Sequence, residues 1–542
     1  MGAGIGRASR AIGLLAVLAV GAGACGSSSD SGPSEDDTEA NQAAPTDEGE
    51  ATPGGTLRVA MPAEIDGLNP TSNRWSIEGN MIASAVFDPL LTFDENRELV
   101  PMLAESVVPN DEGTVWTITV REGVEFHDGT DLDAEAVKLN IDTRKSNPLT
   151  GGALAPVEEV VVVDPLTVEV RMSTPWFGYD YTLAAQGGYM AAPAQIEDAE
   201  NSTRVAIGTG PFRQVGQFST GQPIELERND AYWDGAANLD GIEFSAISDA
   251  SSRQSALTAG DVDMILTETP ATIVAFRDQE GIVQVEDPAS EEAYIMLNFA
   301  TPPFDNEHAR LALAYATDQA ALIDVLGADV LGEAEGPYVE SERYHNPDSG
   351  YPGYDPAKAE EELAAYEDET GQPLSFTVES SIGATGEAAE ALVAQWNDLG
   401  IDATYESLEQ TTFLSGMFVS DFQAAAFRNF GYVNPDSNYI FWHSSQAKGL
   451  GTGSINFNQM TNPELDALLD EARASNDDDA RLELYREVTP TLNATVPYIW
   501  MYHSNWALAA SDSVGGLTVP QELGFSRQDA KPWWDELWLQ PG

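Results

Sequence analysis

Short apolar runs alternate along the chain with stretches of helical periodicity. Residues 114–120 place apolar side chains on one face and threonines on the other, as a half-buried strand does. Residues 374–378 alternate in the same way, residues 388–399 carry apolar side chains at helical spacing, and residues 401–406 return to a strand pattern. This strand–helix–strand order predicts an α/β architecture, in which helices cover a sheet.

The stretch in the middle of the chain, residues 294–318, predicts a connection that is important for domain organisation. Residues 294–299 form a short apolar run, which predicts a buried strand, and Pro302 and Pro303 prevent that strand from continuing. Asp305 then predicts the N-cap of a helix. Such a strand can join two lobes, or it can be one more βα connection inside a single sheet.

Other elements follow from turn and cap residues. Residues 160–172 predict a hairpin of two β-rich runs, and Asp318 predicts the start of a helix that stops at Gly327. Pro463 predicts the first turn of a later helix, and residues 497–503 predict a strand near the end of the chain.

Length and charge limit the class of protein. The chain has 542 residues, too many for one ordinary core, so we expect two or more lobes. It carries 89 acidic and 25 basic residues, a net charge of −64. So acidic a surface argues against nucleic acid or anionic lipid as a partner, and it suits a protein that stays soluble in high salt.

The N-terminus has the features of an export signal. Residues 1–24 combine basic residues with an apolar core that is too short to span a membrane, and Cys25 follows. This resembles a bacterial lipoprotein signal with Cys25 as the lipidated residue; alternatively, Cys25 is incidental and cleavage occurs elsewhere. Because Cys25 is the only cysteine, no intrachain disulfide can form. Residues 25–53 are polar and predict a disordered tether.

Several motifs occur in an order that is typical of one family. They are GGTLRVA (54–60) with LNP (68–70), FHDG (126–129), GTGPF (208–212), and LNF, PFD, RLA and ATD between residues 297 and 318. Together they resemble the family 5 extracellular solute-binding proteins, which are the peptide, nickel and oligosaccharide receptors of ABC importers.

The resemblance implies an α/β, two-lobed fold of the periplasmic-binding-protein type II, with an extra small domain in the first lobe. We expect a first lobe over residues 54–297, with the small domain at about 76–205, and a second lobe over residues 298–504. Residues 505–542 would return to the first lobe. Two strand crossings between the lobes would then act as a hinge.

The resemblance also implies a function. We expect the protein to capture a small solute, most readily a peptide or peptide-like compound, and to deliver it to an ABC transporter permease. It would be a monomer, lipid-anchored on the outer face of the cell membrane, and would need no cofactor. An oligosaccharide receptor, a ligand-sensing scaffold and a secreted hydrolase are alternatives, although no G-x-S-x-G or H-E-x-x-H motif occurs.

The best candidate for the ligand site is the loop after a short strand at residues 423–427. In peptide receptors of the family the matching loop carries an Asp for the ligand amino group, and Gly431 stands at that place here. Phe430 and Tyr432 offer aromatic faces, and Arg428 could pair with a ligand carboxylate. Alternatively, acidic neighbours hold Arg428 and Phe430 belongs to the core. Asn434 completes this set.

Two tryptophans complete the candidate site. Trp75 lies beside Arg74 in a polar loop, where it stacks on a ligand or, alternatively, packs in the core; Trp442 offers a further aromatic face. His443 and His503 lack metal-ligand spacing, so no metal site is expected.

Overall fold

The computed structural model describes most of the chain beyond the predicted tether. The described residues are 51–94, 98–148, 150–327, 329–381, 383–430, 434–517 and 534–540. The side chains of residues 289, 290, 384, 411 and 430 are outside this description.

The strands, in chain order, are β1 (Thr56–Met61), β2 (Leu91–Phe93), β3 (Leu99–Pro101), β4 (Ala104–Pro109), β5 (Val115–Val120), β6 (Val157–Asp164), β7 (Thr167–Met172), β8 (Phe212–Gln214), β9 (Ile224–Arg228), β10 (Gly241–Ala246), β11 (Met264–Thr267), β12 (Ile282–Leu297), β13 (Ser375–Ser381), β14 (Asp402–Leu408), β15 (Ala424–Phe430), β16 (Tyr498–Ser511), β17 (Val514–Gly515) and β18 (Trp538–Leu539).

The α-helices are α1 (Ile77–Val86), α2 (Ala134–Ser146), α3 (Tyr179–Ala184), α4 (Pro193–Glu197), α5 (Ala250–Ala259), α6 (Pro270–Arg277), α7 (Glu307–Ala316), α8 (Gln319–Leu326), α9 (Pro356–Thr370), α10 (Ala384–Asp398), α11 (Gln410–Phe418), α12 (Tyr439–Trp442), α13 (Pro463–Ala474), α14 (Asp478–Arg486) and α15 (Val488–Asn493). Among the described residues, no helix is long and apolar enough to cross a bilayer.

A ten-stranded mixed sheet carries most of the architecture. Its strand order is β14-β13-β15-β12-β16-β11-β1-β10-β9-β8. The β1 strand pairs in parallel with β10 and β11, and β13 pairs in parallel with β14 and β15. Parallel pairs of this kind need crossover connections, which explains the strand–helix–strand order in the sequence.

Two long strands join the halves of this sheet. β12 and β16 pair antiparallel from Ile282 opposite Ser511 to Met296 opposite Tyr498. The end of β12 also pairs with β15, whereas the end of β16 pairs with β11. Each long strand therefore belongs to both halves, and together they form the double crossing that a two-lobed α/β fold requires.

A separate antiparallel sheet lies within residues 104–172. Its strand order is β4-β5-β7-β6, and α2 contacts β6. The apolar face predicted for β5 is buried, with Trp116 at 2% and Ile118 at 0% exposure. The hairpin predicted at residues 160–172 is confirmed by the pairing of β6 with β7.

The strand predicted at residues 294–299 was assigned wrong bounds. β12 begins twelve residues earlier, at Ile282, and ends at Leu297. Its first part carries Glu286, Asp287 and Glu291, and these charged residues interrupt the apolar pattern that predicts a buried strand. The tertiary structure places Glu286 beside Arg277 and Glu291 beside Arg428, which the local pattern cannot show.

The N-cap predicted for the next helix was also wrong, by one residue. Asn306, not Asp305, caps α7, and its side-chain oxygen accepts hydrogen bonds from the backbone N–H groups of His308 and Ala309. The cap predicted at Asp318 is confirmed, since its carboxylate accepts from the N–H of Ala321. The start of α13 at Pro463 is confirmed as well.

Candidate functional site

A cavity of about 80 Å³ lies where distant parts of the chain meet. Arg74 from the loop before α1, Arg144 from the end of α2 and Gln186 line it. Asp436 and Arg473 line it as well. Three guanidinium groups and one carboxylate thus face a single small space, which is unusual in a chain with a net charge of −64.

Asp436 is the best-connected residue of this cavity. Its carboxylate accepts hydrogen bonds from the Nε of Arg473 at 2.6 Å, the indole Nε1 of Trp176 at 2.7 Å and the hydroxyl of Tyr485 at 3.3 Å. The side chains of Arg473 and Asp436 are 8% and 4% exposed. Because the Arg473 guanidinium neutralises this carboxylate, the pair adds no net charge to the cavity.

Arg144 is also committed to other groups. Its Nη2 donates to the carbonyl oxygens of Pro70 and Gln186, the second at 2.5 Å, and the residue is buried. These bonds connect the end of α2 to the loop that carries Arg74. Arg144 therefore has a structural role in addition to its position on the cavity.

Arg74 differs from the other two arginines. Its guanidinium lies over the ring of Phe441, 4.9 Å from the ring centre, and the residue is half-buried. Within the described part of the chain, no carboxylate lies at ion-pair distance from Arg74. Arg74 thus lies on the cavity without a carboxylate partner among the described residues.

A second charged cluster lies across the long strands. Arg428 on β15 pairs with Glu268, which follows β11, and lies 3.4 Å from the carboxylate of Glu291 on β12. The guanidinium also lies 5.3 Å from the ring centre of Trp506 on β16. Since β12 and β16 separate β15 from β11, the Arg428–Glu268 pair spans both long strands. We call it the cross-strand bridge.

Burial and neighbouring charges have opposite effects on each pKa in this cluster. Burial raises the pKa of Glu291 to about 7, against the effect of the Arg428 guanidinium. Burial alone would lower the pKa of Arg428, but Glu268, Glu291 and Glu78 outweigh it and raise that pKa. The guanidinium therefore stays charged, whereas Glu291 titrates near neutral pH.

The structure agrees with the alternative interpretation of Arg428, in which it is held within the protein and does not receive a ligand. Acidic neighbours hold its side chain, which is 28% exposed. A ligand carboxylate at Arg428 would have to displace Glu268 and would approach Glu291. The sequence-based assignment of Arg428 as a carboxylate receptor is therefore not what its surroundings favour.

Trp75 is placed in the core, not on the cavity. It is 1% exposed, its indole N–H donates to the carbonyl of Gly67 at 2.9 Å, and its ring packs against Phe87 and Tyr189. A side chain buried in this way has its polar group satisfied and no free face for a ligand. This matches the core alternative for Trp75.

Asn434 and Trp442 also lie in the interior. The Asn434 side chain accepts a hydrogen bond from the backbone N–H of Asp436 at 2.8 Å, which shapes the turn that presents Asp436. Trp442, the last residue of α12, is 2% exposed and packs in the core. The structure brings Asn434 close to the cavity through Asp436, but it does not bring Trp75 and Trp442 to one surface.

The remaining predicted residues are outside the described part of the chain. These are Cys25 with residues 1–50, the side chain of Phe430, and Gly431 and Tyr432. The backbone of Phe430 pairs with Glu291 on β12. The assignments of Phe430, Gly431 and Tyr432 as ligand-binding residues stay predictions.

The histidines serve the fold. His127 of the FHDG turn contacts the carbonyl of Gly210 through Nε2 at 2.9 Å, and burial lowers its pKa to about 4. His443 accepts from the N–H of Ser445 and stacks on Tyr439. In the described residues, no group of three or more His, Cys, Asp or Glu side chains is arranged to hold a metal ion.

Comparison with known proteins identifies the family. The family described as bacterial extracellular solute-binding proteins, family 5 Middle, matches residues 98–451. Glutathione-binding protein GsiB of Pectobacterium atrosepticum is 26% identical over 490 residues, covering 87% of this chain and 93% of that protein. The chain belongs to family 5 of the bacterial extracellular solute-binding proteins.

Solved structures show the same fold. The oligopeptide-binding protein AppA from Bacillus subtilis, in complex with a nonapeptide, has a TM-score of 0.79 at 22% identity, covering 91% of this chain and 100% of that one. NikZ from Campylobacter jejuni, in complex with Ni(L-His), has a TM-score of 0.77 at 22% identity, covering 89% and 99%. The predicted periplasmic-binding-protein fold is thereby confirmed, and the protein is an extracytoplasmic solute-binding receptor rather than an enzyme.

Sequence reasoning missed Arg74 and Asp436 as cavity residues. The sequence gives Arg74 only as a neighbour of Trp75, and Asp436 is not among the predicted site residues. Basic residues are scarce here, so an arginine next to a predicted ligand-facing loop was a signal that could have been used. Asp436 gave no such local signal, because its partners Trp176 and Arg473 lie 260 and 37 residues away.

Proposed function

We propose that the protein captures a peptide or peptide-like solute between the two halves of the long sheet and delivers it to the permease of an ABC importer. The charged cavity lined by Arg74, Arg144 and Asp436 carries this proposal. A cavity with excess positive charge favours a solute with an anionic group over a neutral sugar, which would need mainly hydrogen-bonding and aromatic contacts. The cavity is therefore the observation that ranks a peptide-like solute above an oligosaccharide.

The relatives are consistent with such a solute. One is named a glutathione-binding protein, and AppA was solved with a nonapeptide. Both ligands carry carboxylates. Since this chain is only about one quarter identical to them, we take from them the class of solute and not its length.

The proposal includes attachment to the membrane. Cys25 would carry the lipid, residues 25–53 would act as a flexible tether, and the folded part would reach the permease as a monomer. Labelling with a radioactive fatty acid tests this directly: we expect label on the wild-type chain and none on Cys25→Ser. Equal labelling of both chains would contradict lipidation at Cys25.

The solute class is tested with the purified chain. We expect that native mass spectrometry finds an intact small molecule, and that di- to hexapeptides raise the melting temperature by several degrees at concentrations far above Kd. β-Linked oligosaccharides serve as the comparison set. Stabilisation by the oligosaccharides and not by the peptides would overturn the peptide assignment, and turnover of a bound peptide would contradict a receptor.

A further inference from the structure

We infer that Arg74 is the residue that receives a carboxylate of the solute, which makes it a specificity-determining residue of this receptor. The inference rests on the proposed function, because it takes the cavity as part of the solute site. It goes further by naming the recognised group and the side chain that recognises it.

The first argument is the charge balance of the cavity. The carboxylate of Asp436 is neutralised by Arg473, and Arg144 donates to the backbone carbonyls of Pro70 and Gln186. Arg74 is left without a carboxylate partner among the described residues. A half-buried guanidinium is costly to leave unpaired, so an anionic group of the solute is the partner that the cavity lacks.

The second argument is pre-organisation. The loop before Arg74 is fixed by hydrogen bonds from the N–H of Asn69 to the Asn73 side chain at 3.0 Å and from the N–H of Asn73 to the Asn69 carbonyl at 2.9 Å. On the other side, Trp75 is anchored in the core by its bond to Gly67. The guanidinium itself packs over the ring of Phe441. A fixed guanidinium loses little entropy when it binds a carboxylate bidentately.

The third argument is the size and lining of the space. A volume of about 80 Å³ admits a small polar group such as a carboxylate. The hydroxyl groups of Thr182 and Ser437 also line the cavity and can donate to a carboxylate oxygen.

The experiment compares acids with their amides. Isothermal titration calorimetry would use the purified chain with Ala-Ala-Ala, with glutathione, and with versions of each in which one carboxylate at a time is an amide. For the wild type we expect that one amidation weakens binding at least tenfold. Arg74→Gln should weaken binding of the parent acid by a similar factor and remove the difference in affinity between acid and amide. Arg74→Lys should keep part of that difference.

Arg343→Gln is the matched control. Arg343 also places its guanidinium over a neighbouring ring, that of Tyr344 at 5.2 Å, but it is exposed and does not line the cavity. This variant loses the same charge and the same kind of ring contact. We expect its affinity for the acids and its ratio of acid to amide affinity to match the wild type.

The outcomes separate this inference from the proposed function. Peptide binding with an acid-to-amide ratio that Arg74→Gln leaves unchanged would overturn the role of Arg74 and leave the peptide proposal standing. If no peptide binds, but succinate stabilises the wild type and not Arg74→Gln, the carboxylate subsite stands and the peptide proposal fails. If neither peptides nor succinate bind, both are overturned.

Discussion

At the scale of single residues, Asp436 shows how one buried carboxylate organises a site. It joins Trp176 of the segment before α3 to Arg473 of α13 and Tyr485 of α14. These partners belong to distant parts of the chain, and a buried ion pair is stable only if both members and their hydrogen bonds are present. Asp436 therefore holds together several of the elements that line the cavity.

We expect Asp436→Asn to lower the free energy of unfolding by about 3 kcal/mol, because it leaves the buried Arg473 guanidinium without its counter-ion. Denaturant unfolding measures the change. Asp230→Asn is the control, since Asp230 is 80% exposed and its pair with Arg228 should contribute less than about 1 kcal/mol. Equal effects of the two substitutions would contradict the role of Asp436.

Glu291 is a second residue with a measurable consequence. Burial raises its pKa to about 7 in the folded chain, above its usual value of 4.5. Between these values the folded state holds a proton that the unfolded state has lost. Stability therefore falls as the pH rises from about 4.5 to 7, and it changes no further above that range.

We expect Glu291→Gln to gain stability relative to the wild type as the pH rises from 5 to 8, by roughly 3 kcal/mol at most. Urea unfolding of both chains at pH 5, 6, 7 and 8 measures this. Glu286→Gln is the matched control on the same strand: burial would raise the pKa of Glu286, but hydrogen bonds from Arg277 and Asn505 outweigh burial and lower it. Its difference from the wild type should stay constant over this range, and a constant difference for Glu291→Gln would contradict the assignment.

At the scale of elements, the start of α7 after Pro303 depends on a tertiary contact as well as on the local sequence. Asp305 and Asn306 are adjacent and both are good cap residues, so the sequence alone could not choose between them. The structure chooses Asn306, whose side chain also donates to Glu369 of α9 at 2.9 Å. This second bond is made by the amide N–H₂ group, which Asp305 does not have.

We expect Asn306→Ala to cost about 1 kcal/mol of stability and Asp305→Ala to have little effect. The urea midpoint at fixed m-value measures both. Asn306→Ser, which keeps a cap oxygen but loses the bond to Glu369, should fall between the wild type and Asn306→Ala. A larger loss for Asp305→Ala than for Asn306→Ala would restore the sequence-based assignment.

The elements themselves were predicted well where the pattern was purely local. The period-two face of β5, the hairpin of β6 and β7, the cap at Asp318 and the start of α13 all came from neighbouring residues. The beginning of β12 was missed because its carboxylates make the local pattern polar. The arginines that pair with them, Arg277 and Arg428, come from other elements. The pairing of β12 with β16 was beyond any local pattern.

At the scale of the whole molecule, the cross-strand bridge connects the two halves of the long sheet. Glu268 follows a strand of one half and Arg428 lies on a strand of the other, with β12 and β16 between them. Closure of two lobes around a hinge needs interactions that are stronger in the closed arrangement than in the open one. The bridge is suited to that role because its partners lie on opposite sides of the long strands.

We expect Arg428→Gln and Glu268→Gln each to shift the ligand-free chain towards a more open arrangement and to weaken solute binding by roughly threefold to tenfold. Small-angle X-ray scattering would show a larger radius of gyration, and calorimetry would give the affinity. Arg277→Gln breaks a comparable pair with Glu286 that does not span the long strands, so both measurements should match the wild type. Unchanged radius and affinity in both bridge variants would contradict this role.

The sequence by itself determined the family, the α/β order of elements and single helix ends such as the cap at Asp318, since a helix end depends on residues within one or two turns of each other. It also showed that arginine is scarce and carboxylate abundant. Only the tertiary structure showed that Arg74 lies on the cavity and that, among the described residues, no carboxylate is at ion-pair distance from it. Arg428 meets Glu268 across 160 residues, and Arg74 meets Phe441 across more than twice that distance in sequence. Charge pairing depends on proximity in space, and for these residues proximity comes from the sheet and not from the local pattern.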